Sequence, residues 1–154
     1  MTMRVPIAFG LAMMLSAGLA RAGDIGADHA WARLAPSGAS AAVFLTLRNG
    51  GEADALVGAE TDIAPRAALH SHQMDGDIAR MRPVDRIALP ANSDTKLAPG
   101  GHHLMLFDLP RKLDKGERFS LMLRFERAPP LSLEVMVVGL GEMPGPENSS
   151  HDNH

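Results

Sequence analysis

The sequence predicts an all-β fold, a single domain built as an antiparallel β-sandwich or Greek-key barrel. Three features indicate this fold: short apolar or alternating runs rich in Val, Leu and Phe, turn-forming clusters between those runs, and no amphipathic helical pattern longer than two turns. The runs follow one another at the spacing typical of hairpins and Greek-key connections. Because the 154 residues contain no recognisable repeat, one domain is expected.

Nine strands are predicted along the chain, in the ranges 28–34, 40–48, 54–60, 67–73, 77–82, 85–89, 102–108, 118–126 and 132–139. The breaks between them are rich in Gly, Pro, Asn and Asp, as in N-G-G-E at 49–52, M-D-G-D at 74–77, P-A-N-S at 90–93, A-P-G-G at 98–101 and L-D-K-G-E at 113–117. Breaks of this length and composition favour hairpins over helices.

The two ends of the chain differ from its centre. An apolar stretch over residues 5–20 follows M-T-M-R and ends in A-R-A, which predicts a signal peptide over 1–22 that is cleaved after Ala22. The stretch, about 16 residues, is shorter than the roughly 20 that a spanning helix needs, so no stable membrane insertion is expected. The domain is placed at 23–140, and the Gly-, Pro- and Ser-rich segment 141–154 is predicted to be a disordered tail.

Composition narrows the classes of partner and site. Arg4 and Arg21 leave with the signal peptide, so 13 basic residues face 18 acidic ones, which argues against nucleic acid as a partner. The sequence contains no cysteine. An exported domain of this kind needs no disulfide if its core is large enough, and a lipid anchor would need a cysteine at the cleavage point.

Two histidines and two methionines stand out by their spacing, H-x10-M-x21-H-x-M: His70, Met81, His103 and Met105. Imidazole and thioether together are the ligands that Cu(I) prefers, whereas zinc favours Cys, His and carboxylate, and calcium and magnesium favour oxygen. Residues i and i+2 of a strand share a face, so His103 and Met105 should project together. The sequence therefore predicts a Cu(I) site that includes this pair.

The spacing alone leaves alternatives open around the first histidine. His70, His72 and Met74 alternate and could present three ligands on one face. His72 and Met74 are expected to be exposed or to play an auxiliary part, and His102 is expected to point away from the metal. Taken singly, Met81 and Met105 would each be as well explained by ordinary packing.

The segment 68–109, with L-H-S-H-Q-M-D-G-D-I-A-R-M-R-P-V and L-A-P-G-G-H-H-L-M-L-F-D-L, resembles the PCuAC family of periplasmic copper chaperones, as do A-W-A-R-L-A-P at 30–36 and A-A-V-F-L-T-L-R-N at 41–49. The resemblance implies a cupredoxin-like barrel in the periplasm that holds Cu(I) with His70, Met81, His103 and Met105, and so selects His70 over His72. It also implies delivery to subunit II of cytochrome c oxidase during assembly of its CuA or other copper site, with a Sco-type thiol protein as a further partner.

Two further expectations concern the C-terminal tail and the oligomeric state. Tails of this kind in the resembling family are associated with Cu(II), which makes Met143, His151 and His154 candidates for a second copper site. We expect the protein to be a monomer.

Other classes of protein would require residues that this sequence lacks. A blue-copper electron carrier needs a cysteine thiolate, and a metalloenzyme needs a clustered third histidine with a carboxylate; neither is recognisable here. No Ser-His-Asp arrangement or phosphate loop is found, so the protein is predicted not to be an enzyme. A periplasmic copper storage or uptake protein and a metal-free β-sandwich interaction module remain as alternatives. Because imidazoles bind copper when deprotonated, affinity should weaken below about pH 6.5.

Overall fold

The computed structural model describes residues 24–144, which contain ten strands and no helix. The strands are β1 (Ile25–Leu34), β2 (Ala41–Asn49), β3 (Asp54–Glu60), β4 (Arg66–Asp75), β5 (Ile78–Pro83), β6 (Ile87–Leu89), β7 (Ser93–Leu97), β8 (His103–Phe107), β9 (Arg118–Phe125) and β10 (Leu131–Val138). The all-β prediction is confirmed. The predicted signal peptide and residues 145–154 of the predicted tail lie outside the described residues, so the domain boundaries stay predictions.

The strands join into one sheet in the order β5-β4-β8-β2-β1-β10-β9-β3-β6, with β7 also paired to β2. Every named pair is antiparallel except β1 with β10, where the first and last strands run in the same direction. The predicted antiparallel sandwich is thus observed with one parallel seam. Strands β5 and β6 form the two ends of the sheet.

The core lies where the sheet folds over itself and β2, β4 and β8 pack against β3, β9 and β10. Its largest fully buried apolar side chains are Val43, Leu45, Leu47, Leu56, Ile87, Leu89, Leu97, Leu104, Leu106, Leu121 and Leu123. Alternation along β8 sends Leu104 and Leu106 into this core, so His103 and Met105 must project from the opposite, outer face.

Strand β7 was not among the predicted strands, because its sequence S-D-T-K-L is mostly polar and adjoins turn residues. It forms because β2 is longer than β8: β8 pairs with Ala41 to Val43, and β7 pairs with the rest of the same flank, from Leu45 to Asn49. The turn between β7 and β8 therefore lies against the middle of β2, at the point where His103 begins its strand.

A second, smaller apolar cluster lies on the outer face. It consists of Trp31, Phe44 and Val138, with Ala42 and Met136 packed against them. The rings of Trp31 and Phe44 lie 4.5 Å apart, centroid to centroid. Trp31 is buried in this separate cluster, on the face that carries His103. No helix within residues 24–144 could cross a membrane.

Candidate metal centre

The register of three strands brings the four predicted ligands to one face of the sheet. His70 on β4 lies directly opposite His103 on β8, and Met81 on β5 lies directly opposite His72 on β4. Directly opposed residues share a face, as do residues two apart on one strand. His70, Met81, His103 and Met105 therefore all project from the outer face, where the candidate centre is formed.

The two predicted histidine ligands are close enough to share a metal ion. Their ring centroids are 5.7 Å apart, and the ring planes are inclined at 65°. Because a metal–nitrogen bond is about 2 Å long, two imidazoles on one metal have centroids at most about 6 Å apart. The observed separation between His70 and His103 meets that limit.

His103 is the most deeply buried of the four predicted ligands. Only 2% of its surface is exposed, and its Nδ1 lies 3.1 Å from the carbonyl oxygen of Gly101. A carbonyl only accepts, so Nδ1 carries the proton and donates, which leaves the Nε2 lone pair free in the neutral ring. Such a bond to a carbonyl is how metal-binding histidines are commonly oriented.

Burial also keeps this imidazole neutral. Desolvation lowers the pKa of His103 most, the bond to Gly101 opposes this, and the neighbouring His70, His72 and His102 lower the pKa further. Burial lowers the pKa of His70 as well. Both predicted ligands are thus held in the deprotonated form that binds a metal.

An aromatic platform supports His103 from the side of β2. The Phe44 ring lies 6.0 Å from the His103 ring, Trp31 packs behind Phe44, and the Arg33 guanidinium lies 5.8 Å from the Phe44 centroid. Phe44 could not be assigned to the site from the sequence, because it is distant from His103 in the chain and no spacing rule links the two residues. The one available signal was its place in the motif at 41–49.

Both predicted methionine ligands border an open pocket. The pocket has a volume of about 450 Å³, and its lining includes Met81, Met105, His103 and His72. Met81 is 55% exposed, and Met105 is partly buried. Neither methionine is packed in the hydrophobic core, so both remain available as ligands. His70 is not part of the lining; it lies beside His103, with its ring 5.8 Å from that of Phe107.

Several buried imidazole nitrogens lack hydrogen-bond partners. They are the Nδ1 atoms of His70, His72 and His102. A buried polar atom without a partner is costly, and bound metal is one way in which such a cost is relieved. Two of these three histidines, His70 and His72, lie on the outer face with the candidate ligands, so the donor set suits a metal.

The donor atoms on the outer face indicate which kind of metal would bind. Within residues 24–144, no three His, Asp or Glu side chains are grouped so that they could hold a metal ion on their own. The thioethers of Met81 and Met105 line one pocket with His72 and His103, and thioethers favour a soft ion such as Cu(I) over zinc, calcium or magnesium.

Known proteins resemble this chain in sequence and in fold. The family described as putative lipoprotein LpqE-like matches residues 25–137. The putative lipoprotein Lxx21020 of Leifsonia xyli subsp. xyli (strain CTCB07) is 35% identical over 107 residues, which are 68% of this chain and 64% of that protein. The chain thus spans just under two thirds of the length of this relative.

Two solved structures share the fold. The copper-bound PCuAC domain from PmoF2 superposes with a TM-score of 0.65 at 24% identity, over 78% of this chain and 97% of that domain. The CuI-bound solution structure of DR1885 from Deinococcus radiodurans gives a TM-score of 0.58 at 28% identity, over 80% of this chain and 83% of that one. The family match and these neighbours confirm the resemblance seen in the sequence: the chain belongs to the LpqE-like family and has the cupredoxin-like β-sandwich fold of PCuAC domains.

Proposed function

We propose that this protein is an exported metallochaperone that carries Cu(I), bound by His70, Met81, His103 and Met105. The observation that carries the proposal is the convergence of these four donors on one face, around a buried imidazole whose Nε2 is left free. The copper-bound PmoF2 domain and CuI-DR1885, which share the fold, support the choice of metal.

Delivery would proceed by ligand exchange at the open pocket. Neutral imidazoles and thioethers would hold Cu(I) without neutralising its positive charge, and an acceptor that supplies anionic thiolates binds the same ion more strongly, so transfer is downhill. The exposure of Met81 supports this step, because an acceptor can reach that side of the ion first. Copper is the cargo and does not change its oxidation state.

The acceptor that we propose is subunit II of cytochrome c oxidase, with a Sco-type thiol protein as a further partner, and the chaperone acts as a monomer in the periplasm. These proposals rest on the resemblance to PCuAC proteins, on the predicted signal peptide and on the relatives described as putative lipoproteins. The absence of catalytic activity stays a prediction. The second site, for Cu(II), also stays a prediction, because His151 and His154 lie outside the described residues.

The metal-binding step is tested by anaerobic titration of the full chain with Cu(I) against a competing chelator. We expect one tight equivalent, and an affinity lowered by at least about a hundredfold in His103→Ala and Met105→Leu, since even indirect partners of a metal contribute factors of about 10 to 100. Circular dichroism checks that both variants are folded, and Met122→Leu serves as a methionine control away from the site. A wild-type chain that binds no Cu(I) would favour the metal-free interaction module.

The delivery step is tested in a copper-limited deletion strain. Loss of oxidase activity, restored by the wild-type gene and not by His103→Ala, is expected for a role in oxidase assembly. Normal oxidase activity together with a lowered periplasmic copper content would instead favour storage or uptake.

A further inference from the structure

We infer that His72 is an exchangeable copper ligand, which takes Cu(I) over from His70 as the ion moves toward the exposed hairpin formed by β4 and β5. The inference rests on the proposed function and adds a residue that the predicted ligand set leaves out. The exchange breaks the bond between copper and the His70 nitrogen as a bond to a His72 nitrogen forms, and the ion stays Cu(I).

The position of His72 supports this role. It follows His70 by two residues on β4, so both imidazoles project from the same face. His72 is also the residue directly opposite Met81, whereas His70 lies opposite Pro83. The one predicted ligand on β5 is therefore paired in the sheet with His72 and not with His70.

His70 and His72 lie at nearly the same distance from His103. The ring centroid of His72 lies 5.4 Å from that of His103, and the centroid of His70 lies 5.7 Å from it. Both values are within the limit of about 6 Å for two imidazoles that share a metal. Either ring can therefore act with His103 on one ion.

The hydrogen-bond environment of His72 also suits a ligand. Its Nδ1 is buried without a hydrogen-bond partner, as is the Nδ1 of His70. Its backbone N–H donates to the carbonyl of Gly101 at 3.3 Å, and the same carbonyl accepts from Nδ1 of His103. One carbonyl thus fixes the strand position of His72 relative to the ring of His103.

The open pocket gives an acceptor access to His72 but not to His70, so copper would pass from His70 to His72. His72 lines the open pocket together with Met81, Met105 and His103, and His70 does not. Two residues farther along β4 toward the hairpin turn, Met74 is 69% exposed on the same face. Donors thus follow one another from His70 through His72 to Met74, and an acceptor at the pocket meets His72 before His70.

The test compares His70→Asn, His72→Asn and the double variant in the full chain loaded anaerobically with one equivalent of Cu(I). His29→Asn is the matched control, because His29 lies outside the site and asparagine tolerates its positive φ of 53°. Transfer to excess chelator is followed by stopped flow, and imidazole ¹⁵N resonances are recorded before and after loading.

We expect His72→Asn to slow transfer by about tenfold, the factor that a supporting contact to a metal commonly carries, with a smaller change in equilibrium affinity. In His70→Asn the ¹⁵N resonance of His72 should shift on loading, and the double variant should bind more weakly than either single one. Transfer at the wild-type rate together with an unmoved His72 resonance would overturn the inference. A wild-type chain that binds no copper would instead overturn the proposed function.

Discussion

The candidate site has two unlike sides, one on β8 and one on β5. Strand β8 lies inside the sheet between β4 and β2; its His103 is buried, and the neighbouring Leu104 and Leu106 are fully buried in the core. Strand β5 is the end of the sheet and is exposed at every residue, Met81 included. Position within the sheet thus decides which candidate ligands are held rigidly and which can be reached from outside.

The difference follows from what each strand packs against. On β8 the inner face is fixed by core leucines, and the outer face is fixed by Gly101 and Phe44 around His103. Strand β5 is paired only with β4 among the described strands, and no residue of it is buried. The proposed function requires that an ion be both held and released, and such a combination suits it.

The largest effect is expected from Leu104→Ala, which removes the packing that fixes β8. We expect the free energy of unfolding to fall by about 2 to 5 kcal/mol, the range for a fully buried leucine, because the core cannot close the cavity completely. Urea denaturation of the copper-free protein measures the change. A loss below about 0.5 kcal/mol, the range of surface substitutions, would mean that β8 is not the rigid side.

A smaller effect in free energy is expected from Met81→Leu on the exposed side. Cu(I) affinity should fall by at least about tenfold, since one sulfur ligand is lost. Stability should change by no more than about 0.5 kcal/mol, because the side chain is mostly exposed. Chelator competition and urea denaturation measure the two quantities. Unchanged affinity would mean that Met81 is not a ligand and that β5 does not contribute to the site.

The smallest effect concerns pH. Burial lowers the pKa of His70 and His103 below the ordinary value of 6.5, so protons compete with copper only at lower pH than the sequence alone suggests. In a titration between pH 7.5 and pH 5, Cu(I) affinity should therefore begin to weaken at a lower pH than it would if both histidines kept the ordinary pKa of 6.5. An affinity that falls already above pH 6.5 would contradict the burial of these rings.

The lowered pKa values of His70 and His103 also make the stability of the copper-free protein depend on pH. Below pH 6.5 the unfolded chain binds protons at these histidines, while the folded chain does not until its lower pKa is reached. Unfolding is thus favoured as pH falls through that window, and the melting temperature should fall with it. His103→Asn should reduce this dependence.

The sequence predicted the long strands and the shared face of His103 and Met105 because both depend on a local period of two. It did not predict β7, whose polar side chains pack little and which forms because β2 offers an unpaired flank. The pairing of His72 with Met81 depends on the register of β4 against β5, which no local pattern specifies. Phe44 and Gly101 reach His103 only through tertiary packing and a turn.

The parallel pairing of β1 with β10 has a practical consequence for protein engineering. Both strands end on the side of the pocket, which Leu34, Leu140 and Gly141 help to line. A tag or label placed directly after β10, at Leu140 or Gly141, would lie beside the pocket, whereas the start of β1 lies roughly 30 Å away at the rise of an extended strand. Fluorophores and affinity handles are therefore better attached ahead of Ile25, where they leave the candidate site free for assays.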